Sequence, residues 1–163
     1  MSKKIYNVLF LCTGNSARSI MGEVLMNEMG RDRFKAYSAG SHPTGKVNPY
    51  AIETMRGMNF PVDNLRSKAW DEFAEPGAPQ MDFIFTVCDS AAGEACPVWL
   101  GHPITAHWGV EDPAHIADPD EARRQFKKAA LTLMRRIELF IALPLDKFDE
   151  MSLREKLKTI GKS

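Results

Sequence analysis

A chain of 163 residues and 18.3 kDa makes one ordinary domain and is too short for two full ones. Its 21 Lys and Arg balance 21 Asp and Glu, with a pI near 6.9, which argues against a protein that coats nucleic acid or an anionic membrane through a general basic surplus. At 44% hydrophobic and 26% charged residues, the composition excludes a disordered or fibrous chain.

Residues 5–11 are a short apolar run of strand formers and predict a buried parallel strand. Lys3 and Lys4 precede this run, but Asn7 interrupts it and no small-residue cleavage site follows, so it does not read as a signal peptide. Phe10 and Leu11 stand where a lipoprotein would need small residues before its cysteine. Residues 19–29 then carry Ile20, Val24, Leu25 and Met29 at helical spacing. A second strand is expected over 34–39, stopped by Gly40, and a helix over 49–58 with Pro49 in its first turn. Residues 60–79 are irregular, with a helical turn around 69–73. A third strand is expected over 81–87 and a weaker fourth over 104–107. The longest helix is expected over 121–142, with Phe126, Ala129, Ala130, Leu133, Ile137 and Phe140 on one face and Pro144 beyond its end. Ser152 and Glu155 have capping-box spacing for a short final helix ending near Gly161. No apolar run approaches the roughly 20 residues that span a bilayer. Three cysteines, an odd count, fit a reducing cytoplasm better than a secreted disulfide scaffold.

Strand–helix alternation of this kind predicts a three-layer α/β sandwich around a parallel sheet. Such sheets bind ligands beyond the carboxyl ends of their strands, which directs attention to residues 12–19, 88–96 and 107–113. All three cysteines fall in these segments. In the first, Cys12 and Arg18 form a Cys-x5-Arg-Ser arrangement between a strand and a helix. A loop this short turns backbone N–H groups toward one point, the helix N-terminus adds positive potential, and the Arg18 fork suits a tetrahedral oxyanion. The same field would favour a thiolate at Cys12, a nucleophile near neutral pH. Gly14 and Asn15 are residue types that tolerate a left-handed backbone. The plainer alternative is a structural cysteine beside an unrelated arginine, against which stands the placement of the whole motif between strand and helix.

The run Val8-Leu-Phe-Leu-Cys-Thr-Gly-Asn-Ser-Ala-Arg-Ser19 resembles the signature of the low-molecular-weight tyrosine phosphatase superfamily. The resemblance continues through Tyr37-Ser-Ala-Gly40, Val47-Asn-Pro49, Cys88, Cys96-Pro97 and His107-Trp-Gly-Val-Glu-Asp-Pro113, and reaches about Leu143. It implies a four-stranded parallel sheet flanked by helices, with no required cofactor. Residues 1–143 would be the phosphatase-like domain. Residues 144–163 would be an extension whose Leu153, Leu157 and Ile160 form an amphipathic helix docking on the domain or on a partner. The superfamily has two branches, phosphotyrosine phosphatases and thioredoxin-coupled arsenate reductases.

The cysteines bear on the branch. Phosphatase chemistry needs a nucleophile, an anion cradle and an acid, whereas arsenate reduction needs two electrons, which thiols can supply. By resemblance to the reductase branch, Cys12 would form an adduct with arsenic, Cys88 would attack Cys12 to release arsenite, and Cys96 would attack Cys88 and carry the disulfide outward. Alternatives are that Cys88 is a core residue and Cys96 a chance loop thiol, that the chain is a true phosphatase, or that it binds arsenite or another oxyanion without turnover. A zinc site fits poorly, because the Cys88-x7-Cys96 spacing lacks a tight pair and His102 and His107 are poorly placed to complete it. Ala114 and His115 follow Asp112-Pro113 where phosphatases usually carry aromatic residues that pack a phosphotyrosine ring.

The resemblance makes Asp112 the general acid and Thr13, Gly14, Asn15, Ser16, Ala17, Arg18 and Ser19 the oxyanion cradle. Asn15, Ser19, Glu23 and Ser38 match positions that pin the loop from beneath. In some relatives an acidic residue after the second helix helps hold a potassium ion; Lys68 corresponds here, so that an ammonium beside Glu23 would replace the ion and no metal would be required. The plain reading of Lys68 is a solvated surface charge. His107 and Trp108 read as packing residues. The reading as a whole is a cytoplasmic arsenate reductase with residual activity on phosphate monoesters. Thioredoxin, or alternatively glutathione with glutaredoxin, would be its partner, and neither nucleic acid nor membrane would be.

Overall fold

The computed structural model describes residues 4–88 and 103–163. In chain order it holds β1 (Tyr6–Cys12), α1 (Arg18–Met29), β2 (Phe34–Gly40), α2 (Pro49–Gly57), β3 (Phe83–Thr86), β4 (Ile104–His107), α3 (Pro119–Ile141) and α4 (Glu150–Ile160). Short 3-10 turns occupy Trp70–Phe73 and Leu145–Lys147. The four strands form one sheet in the order β2-β1-β3-β4, and every pairing is parallel.

Side-chain alternation along β1 divides the interior in two. Val8, Phe10 and Cys12 face a large core built with Met21 and Leu25 of α1, Met55 of α2, Phe126 and Ile137 of α3, and Leu157 of α4. Leu9 and Leu11 face a smaller core closed by Trp70, Met81 and Ile84. Among the described residues, all four α-helices therefore contribute to one core, and the Trp70–Phe73 turn covers part of the opposite face. Also among the described residues, no helix is long and apolar enough to cross a membrane.

Several element ends differ from their sequence expectation for identifiable reasons. Ile5 is left outside β1, and Cys12 is inside it because Cys12 pairs with Gly40 at the end of β2. β3 is shorter than expected, since only Phe83–Thr86 face the four residues of β4. α3 begins at Pro119 because the Asp118 carboxylate accepts the Glu121 N–H at 2.9 Å, an N-cap followed by proline at the first helical position. The expected Ser152–Glu155 capping box does not form. Asp149 caps α4 instead, accepting the Ser152 N–H at 2.7 Å, so Ser152 lies inside the helix.

α4 docks on its own domain. Leu153, Leu157 and Ile160 are buried in the large core. The indole N–H of Trp108, whose ring stacks on Phe85 with centroids 3.7 Å apart, donates to the Leu157 carbonyl at 3.0 Å. Trp108 is thus the packing residue expected from sequence.

Candidate active site

Parallel register brings the carboxyl ends of β1, β3 and β4 to one edge of the sheet. A cavity of about 1080 Å³ opens there, with Cys12, Arg18, Cys88 and Asp112 in its wall. Four of the residues singled out from sequence as reactive, separated by up to 100 positions, are therefore gathered in one place. Cys96 lies outside the described residues.

The loop from Cys12 to Arg18 is held by its carbonyls. Thr13 O accepts from His42 N at 2.9 Å, Gly14 O from Thr44 N at 3.0 Å and from Ser67 Oγ at 3.2 Å, and Ser16 O from Asn48 N at 2.8 Å. Each bond comes from residues 42–48 or from Ser67, outside the Cys12–Arg18 stretch itself. The backbone N–H groups of Asn15, Ser16, Ala17 and Arg18 donate to no protein acceptor among the described residues. Unpaired amides at the start of a helix are an anion site. Asn15 is fully buried with φ 45°, the left-handed conformation expected of it. Gly14 does not share that conformation, because its neighbour alone makes the reversal. Asn15 fastens the loop twice, donating to Ser19 Oγ at 2.8 Å and accepting the Lys68 N–H at 2.8 Å.

Gly40 is needed for a different reason. A Cβ on it would lie 2.5 Å from Thr13 O and 2.8 Å from Cys12 O, so any side chain would push the loop outward. This accounts physically for the glycine that ends Tyr37-Ser-Ala-Gly40.

The Arg18 side chain is 12% exposed and spans from the cradle to the third segment. Its Nη1 donates to Val110 O at 2.8 Å, and its Nη2 lies 3.4 Å from Asp112 Oδ2. Asp112 is half exposed, and its other oxygen accepts the Ala114 N–H at 2.9 Å.

The Cys12 and Cys88 side chains are both buried. Thr13 N–H donates to Cys88 Sγ at 3.2 Å, and Thr13 Oγ1 lies 3.5 Å from it. The Cys12 thiol is pushed above the ordinary thiol range, first by its hydrogen bond with Cys88 and then by burial; Arg18 and the Gly14 N–H act in the opposite direction. This departs from the expectation of a readily ionised Cys12. The cause is the neighbour: two sulfurs in hydrogen-bond contact cannot both carry charge in a buried site, so once one proton has left, the second is held tightly.

Beneath the loop, Ser38 Oγ donates to Glu23 Oε1 at 2.6 Å. Lys68 Nζ lies 3.7 Å from the same oxygen and donates to Ser38 Oγ at 3.4 Å and to Arg66 O at 2.8 Å. The Lys68 side chain is only 9% exposed, so it is not a solvated surface charge. Desolvation lowers its pKa, with Glu23 opposing that shift. Among the described residues, no three His, Cys, Asp or Glu side chains converge to hold a metal ion.

Sequence reasoning missed the loop clamps His42, Thr44, Asn48 and Ser67. Only Asn48 carried a local signal, because Asn before Pro49 is an N-cap pattern, and its Oδ1 does accept the Tyr50 N–H at 2.8 Å.

The sequence profile of the low molecular weight phosphotyrosine protein phosphatase family matches residues 7–149. An arsenate reductase of Oceanobacillus iheyensis is 37% identical over 123 residues, which cover 76% of this chain and 84% of that protein. Among solved structures, an arsenate reductase in the phosphate-binding state superposes with a TM-score of 0.66 at 24% identity, covering 85% of this chain and 98% of the other. A low molecular weight protein tyrosine phosphatase from T. tengcongensis superposes with a TM-score of 0.67 at 23% identity, over 82% and 95% of the two chains.

Proposed function

This chain belongs to the low molecular weight phosphotyrosine protein phosphatase family, and on that premise we propose that it is an arsenate reductase, which converts arsenate to arsenite with electrons from its own thiols. The observation that carries the choice over phosphatase chemistry is the contact between Cys88 Sγ and the Thr13 N–H at 3.2 Å. A phosphatase needs one sulfur in its cradle, and this cradle has two. Ala114 and His115, just after Pro113, in place of a large apolar aromatic side chain, also point away from a phosphotyrosine ring.

Arsenate enters the amides of residues 14–18 and the Arg18 fork, which turns from Asp112 toward the oxyanion. Cys12 attacks arsenic as a thiolate; an As–O bond breaks, and Asp112 supplies a proton so that the oxygen departs as water. The Cys88 thiolate then attacks Cys12 Sγ. A sulfur–sulfur bond forms, the sulfur–arsenic bond breaks, and arsenic keeps the electron pair and leaves as arsenite. Two thiols have lost two electrons, and arsenic has gained them.

In the resolving step Cys96 attacks Cys88, which frees Cys12 and leaves a Cys88–Cys96 disulfide. Thioredoxin, or glutathione with glutaredoxin, then reduces that bond. Such a cycle belongs in a compartment that keeps thiols reduced, the cytoplasm. Residues 1–143 carry every group this cycle uses. Lys68, beside Glu23 and Ser38, takes the place of a bound cation under the loop.

The direct test measures arsenate-dependent NADPH oxidation with a thioredoxin system and with a glutathione–glutaredoxin system, beside aryl-phosphate hydrolysis by the same preparation. Turnover of arsenate with either reductant supports the reading. Rapid phosphate-ester hydrolysis without arsenate turnover would move the chain to the phosphatase branch.

A further inference from the structure

We propose that the end of the chain completes the oxyanion site: Lys158 and Lys162 form a cationic rim over the Cys12 cradle that draws tetrahedral oxyanions into it. The proposal rests on the oxyanion reading above and concerns residues beyond 149, where the family match ends.

Lys158 and Lys162 stand in the wall of the same cavity as Cys12, Arg18 and Asp112. Their effect is clearest when they are left out. The other charged groups of the described wall are then one guanidinium, Arg18, and two carboxylates, Glu111 and Asp112. Arg18 is already engaged by Asp112 at 3.4 Å. An arriving anion would meet a mouth with an excess of negative charge, and the two ammonium groups reverse that sign. Neither pairs with a carboxylate among the described residues, so both fields reach the cavity.

Their position is fixed by the fold. Leu157 and Ile160 are buried on either side of Lys158, and the Trp108 indole holds the Leu157 carbonyl at 3.0 Å. At Gly161 a Cβ would lie 2.6 Å from His107 O and 2.9 Å from Trp108 Cδ1, so the turn carrying Lys162 presses against the end of β4. Buried Arg136 ties the same two segments together, donating to Gly109 O at 2.9 Å and to Ser163 O at 3.3 Å. The lysines are thus anchored on Trp108 and Gly109, the residues that lead directly to Asp112.

The test uses the full chain and inorganic phosphate, which protects Cys12 from alkylation by iodoacetamide when it fills the cradle. The half-protecting concentration is read by peptide mapping for the wild type, for Lys158→Gln with Lys162→Gln, and for the corresponding pair of Lys→Arg changes. At low ionic strength the glutamine variant should need roughly 3- to 10-fold more phosphate, the gap should shrink as salt is added, and arginine should restore the wild-type value. The arsenate KM should follow phosphate affinity, with the loss falling on KM more than on kcat. Equal protection and equal salt dependence in wild type and glutamine variant would overturn the proposal while leaving the oxyanion reading intact. So would a loss confined to the KM of the protein reductant. No protection even in the wild type would overturn both.

Discussion

The Thr13 N–H, the first amide after the nucleophile, donates to Cys88 Sγ at 3.2 Å. A sulfur delivered by β3 is therefore already seated against the loop that β1 delivers, and a bond between Cys12 and Cys88 requires little movement of either strand end.

This contact separates the two branches of chemistry. Cys12→Ser should abolish both arsenate reduction and aryl-phosphate hydrolysis. Cys88→Ser should abolish multiple-turnover arsenate reduction yet leave aryl-phosphate hydrolysis largely intact, because only reduction needs a second thiol. Cys96→Ser should release arsenite once and stop, with peptide mapping finding Cys12–Cys88 where the wild type shows Cys88–Cys96. Normal arsenate turnover by Cys88→Ser would end the reductase reading.

The same contact sets a pH dependence. Cys88 is the main reason the Cys12 thiol is raised, so Cys88→Ala should shift thiolate formation at Cys12 to lower pH and speed its alkylation at neutral pH. For stability the sign follows from proton binding. The unfolded chain loses this proton near the ordinary value of 9.0, whereas the folded chain retains it, so folded stability should fall as pH rises above that value. Denaturant melts across that window should show a decline that Cys88→Ala reduces.

Asp112→Asn keeps the turn and the hydrogen bond to the Ala114 N–H but removes the transferable proton. The arsenate and phosphate-ester rates should drop by roughly 10²–10³-fold, within the range usual for general acid loss. A wild-type rate would reassign Asp112 to holding Arg18, which it faces at 3.4 Å.

Lys68→Met removes an ammonium from a site where its side chain was 9% exposed and leaves Glu23 without its cation. We expect a loss of about 1–3 kcal/mol, because an unpaired carboxylate remains in a largely buried position. Thermal melts in potassium should recover part of that loss if a cation can enter beside Glu23 and Ser38. Recovery in potassium but not in a bulky organic cation would identify the pocket as ion-sized.

Much of this arrangement is visible in the sequence because it is local. The apolar runs at β1 and β3, the helical spacing from Phe126 to Phe140 and the strand–loop–helix setting of Cys12 and Arg18 each depend on residues near one another. The misplaced helix starts were readable as well. Asp118-Pro119 and Asp149 with Ser152 are capping patterns that apolar periodicity obscured. The remainder depends on long-range geometry. Lys68 beside Glu23, 45 positions earlier in sequence, is expected only through the family resemblance and from nothing near Lys68 itself, and no local pattern distinguishes buried Arg136 from the exposed Arg135 beside it. The family resemblance sets Cys88 against Cys12, but the rise of the Cys12 thiol that this proximity causes follows only once β3 is in register with β1.

The carbonyl clamps of the loop bear on any attempt to transplant this catalyst. Thr13, Gly14 and Ser16 are held by His42, Thr44, Ser67 and Asn48, none of which lies within the Cys12–Arg18 stretch. Copying those seven residues between a strand and a helix of a foreign α/β scaffold would carry over the reactive atoms and leave behind the brace that keeps their amides aimed inward. A working graft would have to bring residues 40–48 and 67–68 along with it, and these belong to a different stretch of chain from the one that bears the recognisable signature.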